Sequence, residues 1–135
     1  MTPTAPTAFF GKTFEEAMIL LIEARDYISA TAGQRPQGLT PEDQLRIARE
    51  TMRITTRLTQ IMAWLLAQKA VHAGELTARQ VASEEYRLDG QSVCLADDER
   101  HHGGLPDHLQ SLLKRSHALY VRVARLDELV RRAVG

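Results

Sequence analysis

The chain has 135 residues, the length of one domain of ordinary size. Its hydrophobic content of 44% is enough for a packed core, which excludes a wholly disordered chain. Seventeen Lys and Arg residues balance seventeen Asp and Glu residues, so the net charge gives no bulk attraction to nucleic acid or to an acidic membrane. A single cysteine, Cys94, excludes an internal disulfide and fits a reducing compartment.

The start of the sequence predicts a flexible leader over residues 1–12, followed by one helical domain over residues 13–135. Residues 1–8 have neither the basic start nor the apolar run of a signal peptide, and no stretch approaches the ~18 apolar residues of a membrane span. We therefore expect a cytoplasmic protein. The first helix is predicted to start at Thr13, because Thr13 and Glu16 have the spacing of a capping box, and to stop near Thr31, shortly before Gly33.

The second helix has the clearest start signal in the sequence. Thr40 is a good N-cap residue, Pro41 suits the first helical position, and no helix breaker follows until Gly74. About 33 residues make this helix about 50 Å long. A compact domain of this size has a radius of gyration of only about 14 Å. The helix is thus longer than such a domain is wide. The domain is therefore elongated, or another chain covers the part of the helix that projects beyond it.

The second half of the chain predicts a short helix, a loop and a long last helix. Thr77 and Gln80 form a second capping box, which opens a helix to about Tyr86. Residues 89–104 have no periodicity and predict a mobile loop. From Pro106 onward, apolar residues recur at alternating fours and threes, as in a coiled coil. The fold class is all-α, an antiparallel three-helix bundle with one very long central helix and a short extra helix before the flexible loop.

Trp64 has two interpretations, which the sequence leaves open. The main apolar stripe of the second helix is centred on Leu58, and Trp64 falls on the polar side together with Arg53 and Arg57. Residues 61–71 are apolar on nearly every side of the helix. This apolar surface is larger than two neighbouring helices can bury. Either the short helix folds back over Trp64, or Trp64 contributes to a dimer contact or protein docking site.

Three threonines interrupt the middle of this helix: Thr55, Thr56 and Thr59. We expect their hydroxyls to bond back to the preceding turn. Alternatively, they permit a close helix approach or a polar contact that fixes the register of the bundle.

The sequence has no catalytic signature. It lacks a phosphate-binding glycine loop and a nucleophile elbow, so we expect no enzyme and no cofactor. Cys94 has no accompanying base and is expected to be a buried or idle thiol. The metal-like residues lie mostly on the predicted loop without helical ligand spacing, and we interpret them as solvated rather than as a metal site. They are Asp97, Asp98, Glu99, His101, His102, Asp107 and His108.

A small helical DNA-binding or transcription regulator is the alternative function, because residues 76–82 weakly resemble a helix-turn-helix. Residues 75–100, however, hold seven acidic against three basic residues, and phosphate contact needs the opposite sign. The last helix is more basic, which is typical of a solvated face and would also suit an acidic partner protein.

Three blocks of the sequence resemble the RcdA family of alphaproteobacteria, the regulators of CtrA degradation. The blocks are Thr13-Phe14-Glu15-Glu16-Ala17, the segment 52–66 with its Arg-Ile-Thr-Thr-Arg-Leu and Ala-Trp-Leu-Leu sequences, and the segment 116–127, Ser-His-Ala-Leu-Tyr-Val-Arg-Val-Ala-Arg-Leu-Asp. The resemblance covers all three long helices.

The resemblance implies a dimeric, non-enzymatic adaptor. Such a protein helps the ClpXP protease, with CpdR-like and PopA-like adaptors, to receive cell-cycle regulators such as CtrA. Family members often carry a polar C-terminal tail, whereas this sequence stops one residue after Val134. We therefore expect any docking contribution of that tail to be missing. The candidate dimer or partner surface comprises Arg53, Arg57, Gln60, Trp64, Val71, Tyr120 and Arg122.

Overall fold

The computed structural model describes residues 4–34, 38–82, 88, 94 and 103–134, with side chains from residue 11 onward. The helices in these ranges are α1 (Thr4–Thr31), α2 (Pro41–His72), α3 (Ala78–Val81) and α4 (Asp107–Val134). Helix α2 packs against both α1 and α4, which makes it the central helix of a three-helix bundle. The predicted all-α class is confirmed, and the described residues include no strand.

The ends of α2 agree with the signals in the sequence. The Thr40 hydroxyl accepts a hydrogen bond from the Asp43 amide at 3.1 Å, and the Asp43 carboxylate accepts one from the Thr40 amide at 3.3 Å. This pair satisfies two of the amides that a helix start leaves free. After His72, Gly74 adopts a φ of 79°, a backbone conformation that side chains disfavour. Both predicted boundaries of α2 are confirmed.

Helix α1 starts at Thr4, nine residues before the predicted start at Thr13. Pro6 lies in the first turn, where a missing N–H costs nothing. Thr13 is buried inside the helix, and Glu16 reaches across to Arg122 at 2.9 Å instead of back to an amide. Thr13 and Glu16 therefore lie in the interior of α1, and their spacing does not mark a helix start.

The predicted capping box of α3 is confirmed, with Thr77 and Gln80 exchanging hydrogen bonds of 2.8 and 3.1 Å. The helix ends at Val81, and residues 83–87 of its predicted extension lie outside the described residues. Of the predicted 89–104 loop the structure describes Cys94, Gly103 and Gly104. Cys94, the single cysteine, is buried in the core, as predicted.

The core lies along the buried side of α2, between α1 and α4. Its largest members are Trp64, Ile54, Leu58, Ile61, Leu65, Leu88, Leu109, Leu112, Leu113 and Tyr120. Several polar side chains are buried among them: Glu50, Arg57, Ser116 and Asp127. None of the described helices combines the length and the apolar content that crossing a membrane requires.

Candidate functional site

Arg57 is a core residue, which corrects its prediction as part of a partner surface. Its side chain is 0% exposed. Its Nε donates to the Cys94 carbonyl at 2.7 Å, and its Nη1 donates to the Leu113 carbonyl at 3.0 Å and the Ser116 hydroxyl at 3.1 Å. A buried guanidinium requires such partners, because an unbonded polar group in the core is costly. Arg57 therefore joins α2, α4 and the segment around Cys94.

The structure decides between the two interpretations of Trp64 in favour of the core. The side chain is 2% exposed within a single chain. Its indole Nε1 donates to Asp127 Oδ1 on α4 at 3.0 Å, and Arg131 Nε lies 3.3 Å from both oxygens of that carboxylate. Tyr120 is also fully buried. Trp64 and Tyr120 thus join Arg57 as residues that cannot contact a partner from the surface of this chain.

The other predicted surface residues are at least partly accessible. Arg53 is half-buried and holds the buried Glu50 carboxylate at 2.9 Å. Gln60 and Val71 are half-buried, and Arg122 is exposed on α4. The structure therefore does not bring the seven predicted residues together into one surface patch, because three of them are buried. The error has a geometric cause: the buried sector of α2 is centred near Ile61 and Gln68, about 70° from the predicted centre at Leu58.

The hydroxyls of Thr55 and Thr56 bond back to the preceding turn, which confirms the prediction for these two of the three threonines. Thr55 donates to the Thr51 carbonyl at 3.1 Å, and Thr56 donates to the Met52 carbonyl at 2.9 Å. An exposed threonine whose hydroxyl is bonded to its own helix presents mainly its methyl group to solvent. The outer side of α2 is consequently less polar than its composition implies.

An apolar row does run along the outer side of α2, at positions that the sequence reasoning missed. Leu45, Met52 and Leu66 are 71%, 68% and 52% exposed. They occupy one face because they are separated by seven and fourteen residues, close to whole numbers of turns. Exposed small residues lie between them. We call this set the α2 outer row: Leu45, Ala48, Met52, Thr59, Ala63 and Leu66.

The heptad spacing of Leu45, Met52, Thr59 and Leu66 was the signal available in the sequence. Contiguous apolar exposure of this kind is typical of an interaction surface, because isolated apolar residues need no explanation but aligned ones do. The row covers about 32 Å of helix. The charged residue nearest to it is Arg49, at its edge.

A second surface feature lies where α1 and α4 meet, on the side of the bundle away from α2. Two ion pairs cross this seam: Arg115 on α4 pairs with Glu23 through both of its terminal nitrogens, and Arg122 pairs with Glu16 at 2.9 Å. His108 Nε2 also lies 2.8 Å from Glu23, and its ring meets Tyr27 edge to face. The hydrogen bonds from Arg115 and His108 lower the pKa of Glu23 from 4.5 to about 2.

Some of the residues with metal-binding side chains lie within the described ranges, and the others lie outside them. Asp97, Asp98, Glu99, His101 and His102 lie outside the described residues. Within the described part, no three His, Cys, Asp or Glu side chains are grouped so that they could hold a metal. His108 is instead engaged with Glu23.

Comparison with known proteins gives one solved structure and one family. The family profile described as "Protein of unknown function (DUF1465)" matches residues 2–134. The crystal structure of RcdA from Caulobacter crescentus CB15 superposes with a TM-score of 0.69 at 36% identity, over 90% of this chain and 89% of that chain. The chain belongs to the RcdA family. No curated protein matches it.

Membership of the RcdA family confirms the resemblance found in the sequence. The match with RcdA extends over nearly the whole of both chains.

Proposed function

We propose that the chain is a non-enzymatic, cytoplasmic adaptor that assists the ClpXP protease in degrading cell-cycle regulators such as CtrA. The observation that carries the proposal is the α2 outer row, an apolar face that a free-standing bundle has no reason to keep in water. RcdA-family membership supports the same function. An adaptor binds proteins through rigid surfaces, and CpdR-like and PopA-like adaptors are its proposed co-partners.

The α2 outer row would mediate a homodimer. A heptad-spaced apolar row on a straight helix is what pairing with a second helix requires. Two-fold symmetry needs a self-complementary patch, because each residue meets the same surface on the other copy. The outer row has this property along the helix.

The register follows from the residue numbers. When two α2 helices run antiparallel about an axis between Thr55 and Thr56, Leu45 comes to the level of Leu66 of the second copy. Ala48 then comes to the level of Ala63, and Met52 to that of Thr59. Leucine layers therefore lie at both ends, and alanine layers lie inside them, where the helices can approach closely.

Reconstituted degradation tests the proposed function. CtrA is incubated with ClpXP, ATP, the CpdR-like and PopA-like adaptors and cyclic di-GMP, with or without this chain. We expect CtrA to disappear faster when the chain is present. An unchanged rate over a range of chain concentrations contradicts the proposal.

A matched control separates adaptor function from a general effect on the protease. A green fluorescent protein with a C-terminal ClpXP degradation tag needs no adaptor. Its rate of loss should not change when the chain is added, except by competition for ClpXP at high concentration. Acceleration of both substrates would indicate activation of the protease rather than delivery of a client.

A further inference from the structure

The groove between α1 and α4 is a second interaction surface, separate from the α2 outer row. It has a volume of about 520 Å³ and is lined by Glu16, Ile19, Leu20, Arg115, Ala118, Leu119 and Arg122. This volume lies within the ~300–1,000 Å³ typical of ligand sites. Because the groove is formed by the two helices that flank α2, a dimer formed through the outer side of α2 would leave it accessible.

Two ion pairs frame the groove. Glu16 and Glu23 are seven residues apart on α1, and their partners Arg122 and Arg115 are seven apart on antiparallel α4. The two crossings are thus about 10 Å apart along the helices. Midway between them, Ala118 and Leu119 of α4 lie at the level of Ile19 of α1.

The floor of this frame is apolar and open. Ile19 is 67% exposed although it adjoins the buried Leu20 and Leu119. Ala118 is small and exposed, so the α4 side of the groove has no side chain that fills the space between the two arginines. An apolar side chain of a partner could enter here and cover Ile19.

The two edges of the groove differ in charge. On α4, Lys114 and Arg125 are exposed close to Arg115 and Arg122, and neither forms an ion pair with a described residue. On α1, the exposed edge carries Glu15 and Asp26. The Arg115 and Arg122 guanidiniums already bind carboxylates of this chain, so the carboxylate is a group that suits the α4 edge.

We propose that the α1–α4 groove binds an acidic amphipathic helix of a client protein, with an apolar side chain between the two ion pairs and carboxylates on Lys114 and Arg125. Charge complementarity identifies this partner. A nucleic acid fits less well, because its phosphates would also face the acidic α1 edge, whereas a helix can carry its carboxylates on the α4 side alone. The inference rests on the proposed adaptor function for the identity of the partner as a client.

Fluorescence anisotropy tests the groove directly. The probe is a fluorescein-labelled helical peptide of about 21 residues with a heptad stripe of Leu, flanked by Glu on one side and by uncharged Gln on the other. We expect saturable binding to the wild-type chain. Ala118→Trp, which fills the groove, should raise the Kd about tenfold or more, whereas Ala133→Trp, on an exposed part of α4 outside the groove, should leave it unchanged.

A second pair of variants tests the charge. Lys114→Glu with Arg125→Glu should weaken binding about tenfold or more at low salt, and raising the salt concentration should reduce the difference. Arg79→Glu with Arg132→Glu changes the net charge equally at exposed positions outside the groove and should have little effect. Circular dichroism of each variant confirms that it is folded.

Three results would overturn the inference. They are no saturable binding of the peptide, equal binding of a peptide with every Leu replaced by Ser, and unchanged binding to Ala118→Trp. Tighter binding of a DNA duplex of about 20 base pairs, lost in Lys114→Glu with Arg125→Glu, would assign the edge to nucleic acid instead. Because no protease is present, peptide binding without any effect on CtrA degradation contradicts the proposed function alone.

Discussion

The guanidinium of Arg57 on α2 is hydrogen-bonded to the carbonyl of Cys94, 37 residues later, at a distance of 2.7 Å. The same side chain bonds to Leu113 and Ser116 on α4. One buried side chain thus fixes three parts of the chain relative to one another. Its loss would remove one buried donor from each of these acceptors, although the Leu113 carbonyl would still accept from the Ser116 hydroxyl at 3.2 Å.

Arg57→Met is therefore expected to lower the free energy of unfolding by about 3 kcal/mol, because methionine keeps most of the volume but none of the donors. Urea unfolding followed by circular dichroism measures the change. Arg125→Met is the control, since Arg125 is exposed and its replacement should change the stability by less than about 0.5 kcal/mol. Equal stability of the two variants would show that the Arg57 hydrogen bonds contribute little.

Trp64→Phe is expected to lower the free energy of unfolding by about 1–3 kcal/mol, because the Asp127 carboxylate would lose its indole donor in a buried site. The variant should remain a folded bundle with an unchanged helix content. Asp127→Asn is the informative partner variant, since its side-chain oxygen can still accept from Trp64. If Asp127→Asn loses more stability than Trp64→Phe, the ion pair of Asp127 with Arg131, rather than the indole bond, is the main contribution.

The sequence predicted the ends of helices well where they depend on side chains that are close in sequence. The caps at Thr40 and Thr77 and the stop at Gly74 are determined by side chains within a few residues, and all three are confirmed. The Thr13 signal failed because the same spacing also arises inside a helix. There the role of Glu16 is determined by Arg122, which is 106 residues away in the sequence.

The interaction surface was harder to predict because it depends on how α2 is rotated in the bundle. Arg57 looks like a surface residue on a helical wheel, and the carbonyls of Cys94 and Leu113 with the Ser116 hydroxyl make its burial possible. A rotation of about 70° places Trp64 in the core and leaves Leu66 exposed. No pattern within α2 alone determines that rotation.

Glu23 gives the chain a specific sensitivity to acid. Its pKa is lowered from 4.5 to about 2 in the folded state, so the folded state favours the charged carboxylate. The stabilisation is fully present above about pH 4.5 and is lost as the pH falls toward 2. The side chain is about one-third exposed, so the total effect should be modest, about 1 kcal/mol or less.

The measurement is the free energy of unfolding of wild type and Glu23→Gln at several pH values. We expect the difference between the two proteins to be constant from pH 7 to about pH 5 and to shrink below it. Glu128→Gln is the control, because Glu128 is exposed and its nearest basic group, on Arg132, is 3.5 Å away. A difference between wild type and Glu23→Gln that does not vary with pH would show that the pair with Arg115 is not formed in solution.

Met52→Glu tests the α2 outer row. Met52 lies near the middle of the row, where a carboxylate of one copy would be buried close to the two-fold axis of the proposed dimer. We expect the mass measured by light scattering to fall from that of a dimer to that of a monomer. Because Met52 is 68% exposed in the single chain, the helix content should not change.

Ala133→Glu is the matched control for this change, since it adds the same charge at an exposed position on α4. It should leave the mass of the dimer unchanged. The register predicts a further result: Leu45→Glu should weaken the dimer, and a second copy carrying Leu66→Lys should restore the mixed dimer by opposite charge. A wild-type chain that is monomeric at all concentrations, or a Met52→Glu variant that stays dimeric, contradicts pairing through α2.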